Sequence, residues 1–187
     1  MTIRPWTIDE DSIIADMRIF ELHRLRTRSP RTGVDRSIAV VKSSDWVNVV
    51  ALTADLDVVL VRQFRHGTRS ITLEIPGGLV DPGETPQEAA VRELREETGH
   101  SGTTAVRLGM VHPNPAFIDN RCFTYLVEGC TNTHDLALDA GEDIEVCKLP
   151  LRQIPIEIAE GRITHALVIC GFLWLAQSRP ELFQVVP

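Results

Sequence analysis

The chain has 187 residues, 43% of them hydrophobic and 24% charged, with a formal net charge of −7. This length supports one ordinary domain with a small extension, and the composition is that of a globular protein with a real core. The acidic balance argues against a general binder of nucleic acid or of anionic membranes.

The N-terminal stretch MTIRPWTIDEDS is too polar for a signal peptide. Residues 1–45 are expected to form a separate β layer and a dimerisation element, with residues 46–187 as the main domain. FELHRLRTRS (residues 20–29) has strand character, SPRTG supplies turn chemistry, and SIAVVK (37–42) reads as the returning strand. WVNVVALT (46–53), the turn ADLD and VVLVRQFR (58–65) form an expected hairpin, followed by a short strand, TLEIPGG (72–78).

The clearest helix comes next. Thr85 suits the N-cap, Pro86 the first helical position, and Glu88 completes a T-x-x-E capping box. The segment stops at Gly99, with Ala90 and Leu94 able to face the core and Ala89 beside them. MVHPNPAFIDN (110–120) is a proline-broken loop, RCFTYLVEG (121–129) a strand and THDLALDAGEDIE (133–145) an acidic loop. LRQIPIEIAEG and ITHALVICGFLWLAQS are helical candidates, the second capped by Thr164. Its apolar run, 166–176, is too short to span a bilayer. Cys122, Cys130, Cys147 and Cys170 form no C-x-x-C pair, which disfavours a cysteine zinc site and suggests free thiols in a reducing, cytoplasmic setting. His66, His112 and His165 have no metal-ligand spacing among them.

The helix between Thr85 and Gly99 crowds its acids. Glu93 and Glu97 are four apart and share a face, with Glu96 on the neighbouring edge and Arg92 four before it. These acids lie near the C-terminal end, where the helix dipole disfavours negative charge. A solvated acidic face would explain the charge, but not the glycines Gly77, Gly78 and Gly83 and the acid Glu84 placed just ahead of the helix. A divalent cation with hard oxygen ligands, Mg²⁺ or Mn²⁺, would remove the penalty.

The stretch resembles a Nudix box, G-x5-E-x7-R-E-U-x-E-E-x-G-U, where U is bulky and aliphatic. Gly78, Glu84, Arg92, Glu93, Leu94, Glu96, Glu97 and Gly99 match, and His100 departs at the final packing position. The resemblance implies an α/β fold: a Nudix-type α/β/α sandwich with a mixed sheet, plus the small N-terminal β layer. It implies Mg²⁺-dependent hydrolysis of a nucleoside diphosphate linked to another moiety. Glu93 and Glu97 would be metal ligands, Glu96 a further ligand or a partner through water, and the carbonyl of Gly77 a completing ligand. Glu84 would support the site and Arg92 orient the glutamates.

Side features are similar to the ADP-ribose and nucleoside diphosphate sugar pyrophosphatases: LVRQFRHG with Arg62 and Arg65, EIPGG with Glu74, and Pro115 sixteen residues after Gly99. These imply that Arg62, Arg65 and Glu74 bind substrate. In GEDIE, Glu142 or Glu145 would be a catalytic base or late metal ligand, with the local alignment favouring Glu142. Arg24, Arg26 and Arg28 alternate on one strand face, near Arg31, and read either as a solvated edge or as contacts to the diphosphate or distal sugar, across a homodimer. Trp46 could stack on a base or belong to the core. The rival readings are a GDP-mannose-preferring sugar hydrolase, a nucleoside triphosphate pool cleanser and a non-catalytic nucleotide-sugar sensor. No nucleic-acid or membrane partner is expected.

Overall fold

The computed structural model describes residues 2–183; Met1 and residues 184–187, which the expected domain bounds include, lie outside the described residues. The chain divides into two compact units, 1–44 with 112–121, and 45–111 with 122–187.

The first unit is a three-stranded antiparallel sheet in the order β1 (Thr7–Asp16), β2 (Phe20–Arg28), β3 (Asp35–Ser43). The sequence suggested only two strands. β1 escapes notice because TIDEDSIIAD carries Asp9, Glu10, Asp11 and Asp16 and no clean alternation. Register shifts between Ile8 and Glu10 and between Ile13 and Ala15 break its period against β2. Residues 117–119 run along the free side of β3, where the Val41 amide donates to the Phe117 carbonyl at 2.7 Å.

The second unit carries the core. β4 (Trp46–Leu52), β5 (Asp57–Arg65), β6 (Ser70–Glu74), β7 (His100–Ser101), β8 (Val106–Val111), β9 (Cys122–Val127), β10 (Thr131–Asn132) and β11 (Ile144–Pro150) are interleaved with α1 (Pro86–Thr98), α2 (Ile154–Ala159) and α3 (Ala166–Ser178). The main sheet has the order β11-β5-β4-β9-β8, with β6 pairing the second half of β5. β4 and β9 run parallel and the remaining pairs antiparallel, so the sheet is mixed.

Side chains alternate across β4 and β5 because a strand repeats every two residues. Val47, Val49, Ala51 and Val59 pack with Ala89, Ala90 and Leu94 of α1. Val50, Leu52, Val58 and Leu60 pack with Val168, Phe172 and Leu175 of α3 on the other face. The result is an α/β/α sandwich.

α1 forms where its caps say it should. The Thr85 side chain accepts from the Glu88 amide at 3.3 Å, and the Glu88 carboxylate accepts from the Thr85 amide at 2.8 Å. Gly99 ends the helix at φ 71°, a left-handed conformation that costs a glycine little. α3 differs from expectation: its N-cap is His165 rather than Thr164, and no side chain caps it. All four cysteines are free. Among the described residues no helix is long and apolar enough to cross a membrane.

Candidate active site

The site grows from the turn between β6 and α1. Residues 76–78 run beside β4, where the Val47 amide donates to the Gly78 carbonyl and the Val49 amide to the Pro76 carbonyl, both at 2.9 Å. A Cβ on Gly77 would lie 2.1 Å from the Val47 carbonyl oxygen, and one on Gly78 would lie 2.3 Å from Oε1 of Glu93. Two glycines are therefore needed to let the backbone approach both the strand and the helix carboxylate.

Arg92 organises the acids. Its Nε and Nη2 donate to the two oxygens of Glu84 at 3.0 and 2.9 Å, a bidentate pair. Nη1 donates to Glu93 at 2.8 Å and to Glu96 at 3.1 Å, while Nη2 also reaches the Leu79 carbonyl at 2.9 Å. Arg92 holds the Glu84 carboxyl below its ordinary range.

Among the described residues no cation lies at hydrogen-bond distance from Glu97. It is only 2% exposed, and its Oε2 accepts from the Gly77 amide at 2.9 Å. Burial pushes its carboxyl up to about 8, against the help of that amide, and the charges of Glu93 and Glu142 add to the shift. Burial likewise pushes Glu93 up to about 7, with Arg92 opposing and Glu142 and Glu96 adding. The helix thus presents buried carboxylates that the chain's own cations only partly offset.

Among the described residues no group of three or more His, Cys, Asp or Glu side chains is arranged to hold a metal ion. Glu93 and Glu96 are drawn to Arg92, and Glu97 to the Gly77 amide. The donor chemistry nevertheless fits a hard divalent cation: carboxylate oxygens from adjacent turns, buried and in excess of positive charge.

The remaining sequence candidates separate by sheet face. On β5, Gln63 and Arg65 share the α1 face with Val59, whereas Arg62 alternates to the α3 face. Arg65 donates through Nε and Nη2 to both oxygens of Glu74 at 3.0 and 2.8 Å, and the Thr72 hydroxyl donates to Glu74 at 2.7 Å. Glu74 is 2% exposed and thus fixes Arg65. Arg62 instead donates to Glu145 at 3.2 Å, its partner across β5 and β11. The structure does not bring Arg62 or Glu145 to the box. Their pairing follows from β11, which begins at Ile144, inside what the sequence suggested was loop.

Glu142 sits on an exposed turn where its carboxylate accepts from the Asp139 amide at 3.0 Å. Its charge is felt at Glu93, Glu97 and Arg65. The preceding chain is fastened to α1: the Thr133 and His134 amides donate to the Gly99 carbonyl at 2.9 and 3.0 Å, and the Ala137 amide to the Glu96 carbonyl at 2.9 Å. Trp46 opens β4 opposite Cys122, half-buried and on the α3 side by alternation, away from the box face. Arg26 and Arg28 belong to the first unit, where Arg28 pairs with Asp35 at 2.8 Å.

One feature had no sequence signal. The Nδ1 of His165 is buried without a hydrogen-bond partner among the described residues, and the ring feels Glu74 and Arg65. Burial lowers its proton affinity. Only the fold brings the start of α3 near β6.

The NUDIX domain family matches residues 44–170. An ADP-ribose pyrophosphatase of Bacillus subtilis is 31% identical over 124 residues, 66% of either chain. An ADP-sugar pyrophosphatase of Mus musculus is 38% identical over 160 residues, 77% of this chain and 72% of the other. A crystal structure of an ADP compounds hydrolase superposes with a TM-score of 0.86 at 22% identity, covering 99% of this chain and 100% of that one, and so supports the fold. With the box residues standing on α1 as described, the chain belongs to the Nudix hydrolase family.

Proposed function

We propose that the protein hydrolyses the pyrophosphate bond of ADP-ribose, or of a close nucleoside diphosphate sugar such as GDP-mannose, to a nucleoside monophosphate and a sugar phosphate. The observation that carries the reading is the buried pair Glu93 and Glu97 on one face of α1, with Glu97 offset by the Gly77 amide and, at longer range, by the charge of Arg65. Relatives named for ADP-ribose and ADP-sugar cleavage support the substrate class.

Glu93 and Glu97 would hold Mg²⁺, with Mn²⁺ as an alternative; Glu96 and the Gly77 carbonyl would add to the set. The cation, when bound, neutralises the diphosphate and makes water a better nucleophile. Arg92 keeps Glu84, Glu93 and Glu96 in place. Arg65, held by Glu74, presents a fixed guanidinium for charge-assisted bonds to a diphosphate oxygen. Glu142 takes the proton from the attacking water, and its exposed turn allows it to approach when substrate binds. Positioning and charge account for most of the work in phosphoryl transfer. Arg26 and Arg28 are proposed contacts to the substrate in a homodimer; Arg62, Trp46 and Glu145 are given no part.

The test is a panel of nucleotide sugars and nucleoside triphosphates incubated with Mg²⁺ and separated by chromatography. Nucleoside monophosphate and sugar phosphate in equal amounts are expected. Binding without cleavage would indicate a sensor, and preferential triphosphate cleavage a pool cleanser.

A further inference from the structure

The N-terminal sheet holds together without an apolar interior of its own. Among the described residues of the first unit no hydrophobic side chain is fully buried, and the most buried ones are polar: His23 at 6%, Thr27 at 7%, Ser29 at 5% and Asn120 at 8%. Such a sheet depends on its backbone ladder and on cross-strand side-chain pairs.

A cluster of these pairs centres on His23. Its Nδ1 lies 2.5 Å from Oδ1 of Asp11 on β1, and its Nε2 lies 2.8 Å from Oε2 of Glu21 on β2. The other oxygen of Asp11 accepts from Nζ of Lys42 on β3 at 2.6 Å. One cluster therefore ties all three strands.

The chemistry of the ring decides its charge. A neutral imidazole has one N–H and one bare nitrogen, so it can satisfy one carboxylate but turns a lone pair on the other. Only the imidazolium donates to both. With it, Asp11, Glu21, His23 and Lys42 sum to zero; without the proton they sum to −1. Asp119, whose Oδ1 accepts from the Ser43 amide at 3.2 Å, adds negative charge beside Lys42. We propose that His23, clasped between Asp11 and Glu21 with Lys42 closing on Asp11, is a pH-sensitive lock that holds β1 on the N-terminal sheet while protonated and releases it when the proton is lost.

Both carboxylates, Glu21 first, raise the proton affinity of His23 above its ordinary value, against burial and the charge of Lys42. The sign follows directly. A histidine whose folded value is raised contributes stability that is complete below the unfolded value and is lost as pH rises through the folded one.

The test uses the full chain and two readouts. Long-range proton–nitrogen correlation spectra at pH 6 are expected to show both His23 ring nitrogens protonated, with a midpoint above that of free histidine. Amide exchange of β1, normalised to β4 at each pH, is expected to accelerate by about tenfold for each unit by which that midpoint is raised. Glu21→Gln should lower the midpoint and shrink the acceleration, and His23→Gln should abolish the pH dependence. A bare ring nitrogen at pH 6, a midpoint at or below the free value, or β1 exchange that tracks β4 throughout would overturn the proposal.

Discussion

Glu97 shows how a single residue can be costly to the fold and useful to the site. Its burial favours the neutral acid, so the folded chain binds that proton more tightly than the unfolded one. Without a divalent cation this contribution to stability is complete below the ordinary carboxylate range and fades as pH rises through about 8. Glu97→Gln removes the dependence, since an amide oxygen can still accept from Gly77. In chelator, the melting temperature of wild type should therefore fall relative to the variant between pH 5 and pH 8. Parallel curves would mean that Glu97 is not a buried excess charge. The same substitution, and Glu93→Gln, should lower turnover by more than about 10²-fold, beyond what loss of an outer-shell partner costs. Ordinary activity in either at usual Mg²⁺ would remove them from the ligand set. The acids of the box could be read from spacing alone. Their burial could not, because it comes from β4 and residues 76–78 closing over α1.

At the scale of elements, α1 was legible to its ends because its determinants are local: Thr85, Pro86, Glu88 and Gly99 lie in or beside it. Thr85→Ala should cost about 1 kcal/mol in chemical denaturation, the usual worth of an N-cap; no loss would mean the cap is idle. β1 and β11 were not legible. β1 is too acidic to read as a strand, and β11 follows directly on an acidic loop, so Glu145 reads from sequence as a loop residue although it lies on β11 and pairs with Arg62. Face assignment was the other blind spot. Arg62 and Arg65 look alike in VRQFR, yet alternation sends only Arg65 to Glu74. The turn bearing Glu142 is fastened to α1 upstream and exposed at its tip. Glu142→Gln should reduce kcat by about 10²–10⁴-fold, as loss of a general base does, with a smaller effect on KM. A loss under about threefold would leave Glu142 without the role of base.

For the whole molecule, the first unit exposes Ile8, Ile13, Ile14 and Ile38 at 62%, 59%, 45% and 40%, and buries no hydrophobic side chain among its described residues. A sheet so poor in core gains from a partner, and a second copy is the simplest one. Light scattering at micromolar concentration should give the mass of a homodimer, and Ile13→Asp should shift it toward monomer; a fully active monomeric wild type would refute this. The fold class was legible because box, hairpin and helices repeat a familiar order, while the apolar surface emerged only once β1 was placed. The proposed reaction is defined by the bond that is cut. Incubating the protein with ADP-ribose, GDP-mannose and nucleoside triphosphates in Mg²⁺, and resolving the products by chromatography, tests it most directly. A nucleoside monophosphate and a sugar phosphate in equal amounts are expected from a nucleotide sugar, with little triphosphate turnover. Strong triphosphate cleavage with inert nucleotide sugars would contradict it.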